Sequence, residues 1–474
     1  MAAATTETFP TWPWQHWATE RPAAVAIHCE GQQFSWHETA KRVDEYAQGL
    51  IEQGLKRDQL VAVVSPNSLQ AVWLLLAVLR VGARFVGINP RLSQAELDAQ
   101  LAALHCDFVW YPAKSVLDLS GYTRLQLLPP DASRMVPVTW QLHRPATLTL
   151  TSGSTGFPKA VVHSAQTHLA SAEGLLAWLP FDAEDSWLLS LPLFHISGMA
   201  IIWRWLARGA RLDVCAPERL DAALAQVTHA SLVPTQLQRL LDAAETTSLA
   251  LKQVLLGGTM IPVSLTQQAR QAGIECWCGY GMTEMASTVT AKPADDSSGV
   301  GTVLPNRELT LVDGEVMVKG ETLCLGYYRQ QTIFPIAEDE WFATRDLACW
   351  KDGELHILGR ADNMFISGGE NIQPEDIEKV LLQHPDVTQA VVLPVEDAEF
   401  GHRPLALIRT VGPLDEERKQ QLRAYMAQQV TAFRRPVEYL AIPAHLSGSG
   451  IKLSRVALKA WLESERAVYQ DCLV

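Results

Sequence analysis

Apolar and polar residues change their period repeatedly along the chain, and each change marks an element. From Trp36 a helical spacing places Val43, Tyr46, Ala47 and Leu50 on one face. The uninterrupted apolar run Leu60–Val64 suits a parallel strand covered on both faces. An apolar helix from Leu69 to Leu79 and a second apolar run from Arg84 to Ile88 complete a β-α-β pattern. Thr147-Leu148-Thr149-Leu150 alternates as a strand should, and Asp185 to Leu193 reads as another strand. Short strands follow at 229–233, 254–256 and 274–278. Strand ends in this lobe open into turns, notably Gly257-Gly258-Thr259 and Gly279-Tyr280-Gly281-Met282-Thr283-Glu284. Residues 309–358 are shorter strands with hairpin signals at Asp313-Gly314 and Asp352-Gly353.

Gly359-Arg360-Ala361-Asp362-Asn363 then marks a boundary. Ser367-Gly368-Gly369-Glu370-Asn371 reads as loop, and an amphipathic helix starts at Pro374 and carries Ile377, Val380 and Leu381. A strand from Ala390 to Leu393 and a helix from Glu416 to Gln429 follow. The predicted class is α/β: a large multi-lobed N-terminal domain, residues 1–361, with mixed and parallel sheets, and a small α+β C-terminal domain, residues 362–474. There is no internal repeat.

Composition narrows the function. A chain of 474 residues exceeds what one core usually supports. Its net charge of −13 argues against nucleic acid or an anionic membrane as partner, since both call for a basic surface. The eight cysteines have no disulfide-framework density, and Cys276-x-Cys278 lacks zinc-site spacing, so reduced thiols in a cytoplasmic protein are expected. The most apolar run, Ala71 to Leu79, is about half a membrane span. The N-terminus lacks the basic and apolar regions of a signal peptide. Small-molecule substrates are the expected partners, and homo-oligomerisation is left open.

The densest chemistry lies in Thr151-Ser152-Gly153-Ser154-Thr155-Gly156-Phe157-Pro158-Lys159, where a strand runs out into a loop. Glycines that admit close backbone approach, hydroxyl donors and a lysine suit a phosphate. The lysine stands three residues behind its glycine and follows a proline, so this is not a Walker A loop. Gly/Ser/Thr runs also serve as linkers; the strand before and the Pro-Lys after set this one apart. Tyr280 offers a flat face for a base, Thr283 a hydroxyl for phosphate and Glu284 a carboxylate for Mg²⁺. Turn packing for Tyr280 and a helix-start role for Glu284 fit the same residues. Asp346 suits a ribose diol or an ordinary turn. His195, after Phe194 at a strand end, is structural or lines a mouth, and Lys452 sits on a Ser/Gly loop that could carry it into a site. Arg204, between Trp203 and Trp205 in an apolar helix, needs either an internal acid or a ligand's carboxylate unless it snorkels.

Thr151 to Lys159, Gly279 to Glu284, Thr344 to Asp346, Gly359 to Asp362 and Lys452 to Arg455 occur in the order and approximate spacing of the acyl-adenylate-forming superfamily. The resemblance spans nearly the whole chain, and Ser367 to Ile372 resembles its CoA-ligase branch. Leu191 to Gly198, Trp203-Arg204-Trp205, Ser231 to Gln236 and Phe400 to Pro404 are similar to the o-succinylbenzoate:CoA ligases of menaquinone biosynthesis. Three positions depart from the superfamily pattern: Arg345, Ala160 and Ile451 stand where glycine is usual.

The resemblance implies ATP, Mg²⁺ and CoA as cofactor and co-substrates, and a two-step ligation through an acyl-adenylate. It implies a mobile C-terminal domain hinged at Asp362. Lys452 would bridge carboxylate and phosphate, Glu284 would hold Mg²⁺, Ser152, Thr155 and Lys159 would hold pyrophosphate, and Thr151 and Ser154 would join them in binding ATP. Gly258 and Tyr280 would border adenine, Thr283 the α-phosphate, and Asp346 with Arg360 the ribose; Gly257, Thr259, Gly279 and Gly281 would also bind the nucleotide. Gly368 and Gly369 would face CoA, with His195 as a gate. Arg204, Ser231 and Thr288 would contact the acid, Arg204 taking a retained carboxylate. A CoA ligase for another aryl or medium-chain acid, an adenylation domain serving a carrier protein, and a non-catalytic nucleotide-binding protein are the alternatives.

Overall fold

A computed structural model describes residues 9–113, 115, 117–129, 138–151, 159–243, 249–258, 261–336, 340–367, 370–397, 400–446 and 453–471, with side chains described as far as 464. The chain divides into two compact units, Met1–Leu309 with Val318–Phe342, and Thr310–Met317 with Ala343–Val474.

Two sheets organise the first unit among the described residues. The seven-stranded sheet has a parallel half, Phe108–Trp110, Leu60–Val64, Arg84–Ile88 and Pro145–Thr151, continued by antiparallel Lys159–Ser164, Gly326–Arg329 and Thr332–Pro335. Leu60–Val64 is buried along its whole length, as its unbroken apolar run predicts. Leu69–Val81 is likewise buried on nearly every face. Ser68 caps its start by accepting from the Ala71 amide at 3.2 Å, and Gly82 ends it in the left-handed region at φ 83°.

The nine-stranded sheet has a parallel centre running through Val25–Cys29, Arg211–Val214, Ser186–Leu188, His229–Leu232, Gln253–Leu256 and Glu275–Met282. Antiparallel Ser287–Pro293 and Thr302–Val303 extend one edge, and Gln32–Ser35 closes the other.

Three local expectations are corrected here. The strand expected from Asp185 to Leu193 is only Ser186–Leu188. Beyond it the backbone is held by a side chain rather than by a strand: Asn67 Nδ2 donates to the carbonyls of Leu189 (3.0 Å) and Leu191 (2.8 Å), and its Oδ1 accepts from the Leu193 amide (2.9 Å). The Gly279-Tyr280-Gly281-Met282 turn is instead the end of the strand Glu275–Met282, bulged between Tyr280 and Gly281. A Cβ at Gly279 would lie 2.5 Å from the Thr290 carbonyl oxygen, so this glycine answers to the neighbouring strand's approach. Ser367 to Asn371, expected as loop, contributes to an antiparallel pair, Phe365–Ser367 with Glu370–Ile372.

The second unit holds most of a four-stranded sheet, Arg307–Val312, Glu315–Gly320, Phe342–Lys351 and Glu354–Arg360 in that order, with residues 307–309, 318–320 and 342 counted in the first unit, and a three-stranded sheet, Val387–Asp397, Gly401–Thr410 and Tyr439–Ala441. Asp313-Gly314 and Asp352-Gly353 turn the hairpins with φ between 51° and 82° at all four positions. Pro374–Leu381 and Glu416–Gln429 pack Ile377, Leu381, Leu422 and Met426 against the three-stranded sheet. The compact division thus falls ahead of residue 361, because residues 310–317 and 343–360 cluster with the remainder of the chain's C-terminal part.

Candidate active site

Three clusters contain the expected site residues, two in the first unit and one in the second. Ser152, Ser154, Thr155, Thr259, Gly368, Gly369 and Lys452 lie outside the described residues. Thr151 ends its strand with its hydroxyl 3.5 Å from the Lys159 carbonyl, and Lys159 begins the next strand. Lys159 places its ammonium 5.4 Å from the ring centroid of Tyr327. The Tyr327 hydroxyl in turn donates to Glu284 Oε1 at 3.0 Å. Burial, then the Glu284 charge, raise the Tyr327 phenol well above its ordinary range, so it stays a donor. The Glu284 carbonyl accepts from the Cys324 amide at 2.7 Å, and Glu284 stands in the first turn of the short 3-10 helix Thr283–Met285.

Thr283, beside Glu284, is held from behind. His163 donates from Nε2 to the Thr283 carbonyl at 2.9 Å, and its ring lies 4.9 Å from that of His168. The His168 Nε2 hydrogen-bonds the Thr147 hydroxyl at 2.7 Å. Burial lowers His163 to about 4 and His168 well below the ordinary value, so both are neutral at pH 7. Ala286 and Ser287, just downstream, take φ of 51° and 106°, a conformation costly for residues with a side chain and common near functional sites.

Gly257 follows the strand Gln253–Leu256; a Cβ there would lie 3.9 Å from the Gly279 carbonyl oxygen, and Gly258 takes φ 84°. Gly281 backs directly onto the Ser287 carbonyl.

The second cluster surrounds Arg204, on the helix Ile196–Arg208. Its guanidinium is buried and donates to the hydroxyls of Ser231 (3.3 Å) and Thr288 (3.4 Å), leaving its Nε unpartnered. The guanidinium carbon lies 5.2 Å from the Trp187 ring centroid. No carboxylate pairs with it among the described residues, and burial lowers it to about 9. The sequence therefore identified all three members of this group. It missed Arg307, which is buried close by and donates to the Thr288 carbonyl.

His195 occupies the N-cap position of the same helix without a side-chain capping bond. Its Nε2 is buried without a partner, and burial lowers it to about 4. The turn before it is closely fitted: a Cβ at Gly87 would lie 2.7 Å from Phe194 Cα, and one at Gly198 would meet the Pro192 carbonyl.

In the second unit, Asp346 lies within the strand Phe342–Lys351 rather than at a strand end. Arg360 Nη1 donates to Asp346 at 3.1 Å, while its Nε and Nη2 reach the two oxygens of Asp362 at 2.9 and 3.3 Å. Burial works to raise Asp362, but hydrogen bonding and charge from Arg360 outweigh it and lower its pKa. Arg345 takes φ 62°, the conformation for which glycine is favoured. Its amide donates to Glu315 at 2.8 Å, and the Asp346 amide donates to the Thr344 hydroxyl at 3.0 Å, so the turn is held despite the side chain.

The family described as AMP-binding enzyme matches residues 14–328, and the AMP-binding enzyme C-terminal domain matches residues 376–448. The chain belongs to the AMP-binding enzyme family. It is 46% identical to the 2-succinylbenzoate–CoA ligase of Salmonella typhimurium, over 96% of this chain and 98% of that protein. It also superposes with TM-score 0.88 on an arginine-to-lysine variant of E. coli MenE with bound OSB-AMS, at 44% identity over 96% of this chain and 99% of that one. The o-succinylbenzoate CoA synthetase of Bacillus subtilis has been solved with the acyl-adenylate intermediate OSB-AMP (26% identity, TM-score 0.83, 95% and 98% of the chains) and with ATP and a magnesium ion (25%, 0.81, 91% and 96%).

The α/β class read from the sequence is borne out, and no described helix is long and apolar enough to cross a membrane. The described cysteines are free.

Proposed function

We propose that the protein ligates o-succinylbenzoate to CoA through an acyl-adenylate, as a step of menaquinone biosynthesis. The observation that carries this reading is Arg204: a buried cation with two hydroxyls and no acid beside it among the described residues. A diacid keeps one carboxylate while the other reacts, and that carboxylate supplies the missing charge in bidentate form. A monoacid leaves the guanidinium unpaired, at a cost of several kcal/mol.

In the first step the aliphatic carboxylate attacks the α-phosphorus of ATP; the bond to the bridging oxygen breaks and pyrophosphate leaves. In the second, the CoA thiolate attacks the acyl carbon and AMP leaves. The first step accumulates charge on phosphate oxygens, so it asks for fixed donors and cations rather than a protein nucleophile. Ser152, Thr155 and Lys159 are assigned to pyrophosphate and Gly258 and Tyr280 to the adenine border, with Thr151, Ser154, Gly257, Thr259, Gly279 and Gly281 as further contacts of the nucleotide. Thr283 is assigned to the α-phosphate, Asp346 and Arg360 to the ribose, and Lys452 to the bridge between carboxylate and phosphate. Ser231 and Thr288 complete the acyl contacts.

Glu284 suits Mg²⁺: Tyr327 donates to one of its oxygens, the other remains, and this ion commonly takes one or two carboxylates plus phosphates and waters. When bound, the ion supplies positive charge to the phosphate oxygens.

Residues 362–474 are assigned a swing about Asp362 that exchanges Lys452 for the Gly368-Gly369 segment, with His195 gating the thiol's approach. The reading places the enzyme in the cytoplasm. The test is pyrophosphate release from ATP with CoA, comparing o-succinylbenzoate with benzoate and octanoate. Strong preference for o-succinylbenzoate is expected; equal or greater turnover of a monoacid overturns the assignment.

A further inference from the structure

Arg307 is a second guanidinium buried in the first unit, and its partners among the described residues are backbone carbonyls. Its Nε donates to Pro305 (2.9 Å), its Nη1 to Thr288, and its Nη2 to Ala170 (3.4 Å) and Ser171 (3.3 Å). These bonds engage every nitrogen of the guanidinium without cancelling its charge. The helix Ala165–Leu176 makes room for it at Gly174, where a Cβ would run into Arg307 Nη2 and lie 2.5 Å from the Pro305 carbonyl oxygen. Thr288 joins the two arginines: its carbonyl accepts from Arg307 and its hydroxyl from Arg204. Burial first, and then the nearby charge of Arg204, lower Arg307 to about 9. Two like charges are thus buried around one threonine, with no acid paired to either among the described residues. Such an arrangement is costly until an anion arrives.

We infer that Arg307 is a specificity-determining residue of the acyl site: it holds Thr288, and so the orientation of Arg204, and adds a second positive charge that favours acids retaining a carboxylate. Arg307 is a positioning residue here, since each of its nitrogens already donates to a carbonyl. The inference rests on the reading of Arg204 given above.

The test uses the full-length enzyme and two acids, o-succinylbenzoate and 4-oxo-4-phenylbutanoate, which lacks only the ring carboxylate. Arg307→Gln keeps hydrogen bonding but removes charge, and Arg307→Lys keeps charge but loses the fork of donors. In Arg307→Gln the KM for o-succinylbenzoate should rise about tenfold or more, with the KM for ATP and the turnover of 4-oxo-4-phenylbutanoate little changed. Arg307→Lys should recover most of the preference for the diacid. Equal losses on both acids would make Arg307 merely structural, and an unchanged preference in Arg307→Gln would likewise overturn the inference. If Arg307→Gln is insoluble, Arg307→Lys decides alone: loss of the diacid preference in that variant overturns it. A wild-type enzyme without preference between the two acids would instead sink the reading of Arg204 itself.

Discussion

Arg360 in the second unit and the pair Arg204 and Arg307 in the first are treated in opposite ways. Arg360 is half-exposed and meets two acids, Asp346 and Asp362. Arg204 and Arg307 are 2% and 6% exposed and, among the described residues, donate to hydroxyls and carbonyls and to no acid. An exposed ion pair costs little to form and stabilises little, whereas a buried cation without an acid is a standing penalty. A protein keeps such a penalty where a ligand relieves it. The contrast therefore separates charge that is complete within the chain from charge held ready for something else.

The largest expected effect comes from removing the uncompensated charge. Arg204→Met should lower kcat/KM for o-succinylbenzoate by about 10²–10³, while the ligand-free protein melts at the same or a higher temperature. Steady-state kinetics with calorimetry reads both, and a variant that loses stability without losing diacid selectivity breaks the comparison.

The buried histidines take another course, giving up their protons. His163 has a folded value of about 4 against 6.5 for the free side chain, so the unfolded state binds more protons below pH 6.5. Stability contributed by the neutral ring is thus complete above 6.5 and is lost as pH falls toward 4, up to about 3 kcal/mol. Denaturant titrations at pH 7.5 and 5 should show the loss, and His163→Gln should flatten the slope.

At the paired corner, Asp346→Asn should raise the KM for ATP about tenfold while moving stability by less than about 1 kcal/mol. A large drop in melting temperature would mean that this pair supports the fold rather than the nucleotide. Tyr327→Phe should raise the magnesium concentration needed for half-maximal rate by a few fold, since Glu284 loses one neutral donor worth about 1 kcal/mol. The smallest effect is expected of Arg345→Gly, which relieves the φ of 62° and should stabilise by no more than about 1 kcal/mol.

Much of this was legible in the chain because it depends on local pattern. Leu60–Val64 and Leu69–Val81 follow from unbroken apolar runs, and Arg204 stands out because a cation inside an apolar helix must find an anion. What escaped were partners supplied from a distance. Tyr327 reaches Glu284 across 43 positions and Arg307 reaches Thr288 across 19, and neither has a local cue beyond being an ordinary strand residue. Gly279 was read for its freedom in a turn, whereas the approach of a neighbouring strand explains it in the fold. Arg345 shows the converse: a position that looked anomalous for its residue type does adopt the glycine-like conformation.

Asn67 has a consequence for anyone recombining relatives of this protein. It follows the strand Leu60–Val64 of one sheet, yet its amide fastens the segment after Ser186–Leu188 of the other, just ahead of His195. A chimera that takes the two sheets from different parents inherits half of that clasp from each. Crossover points that keep Asn67 and Leu189 to Leu193 from the same parent should give working hybrids more often than those that part them.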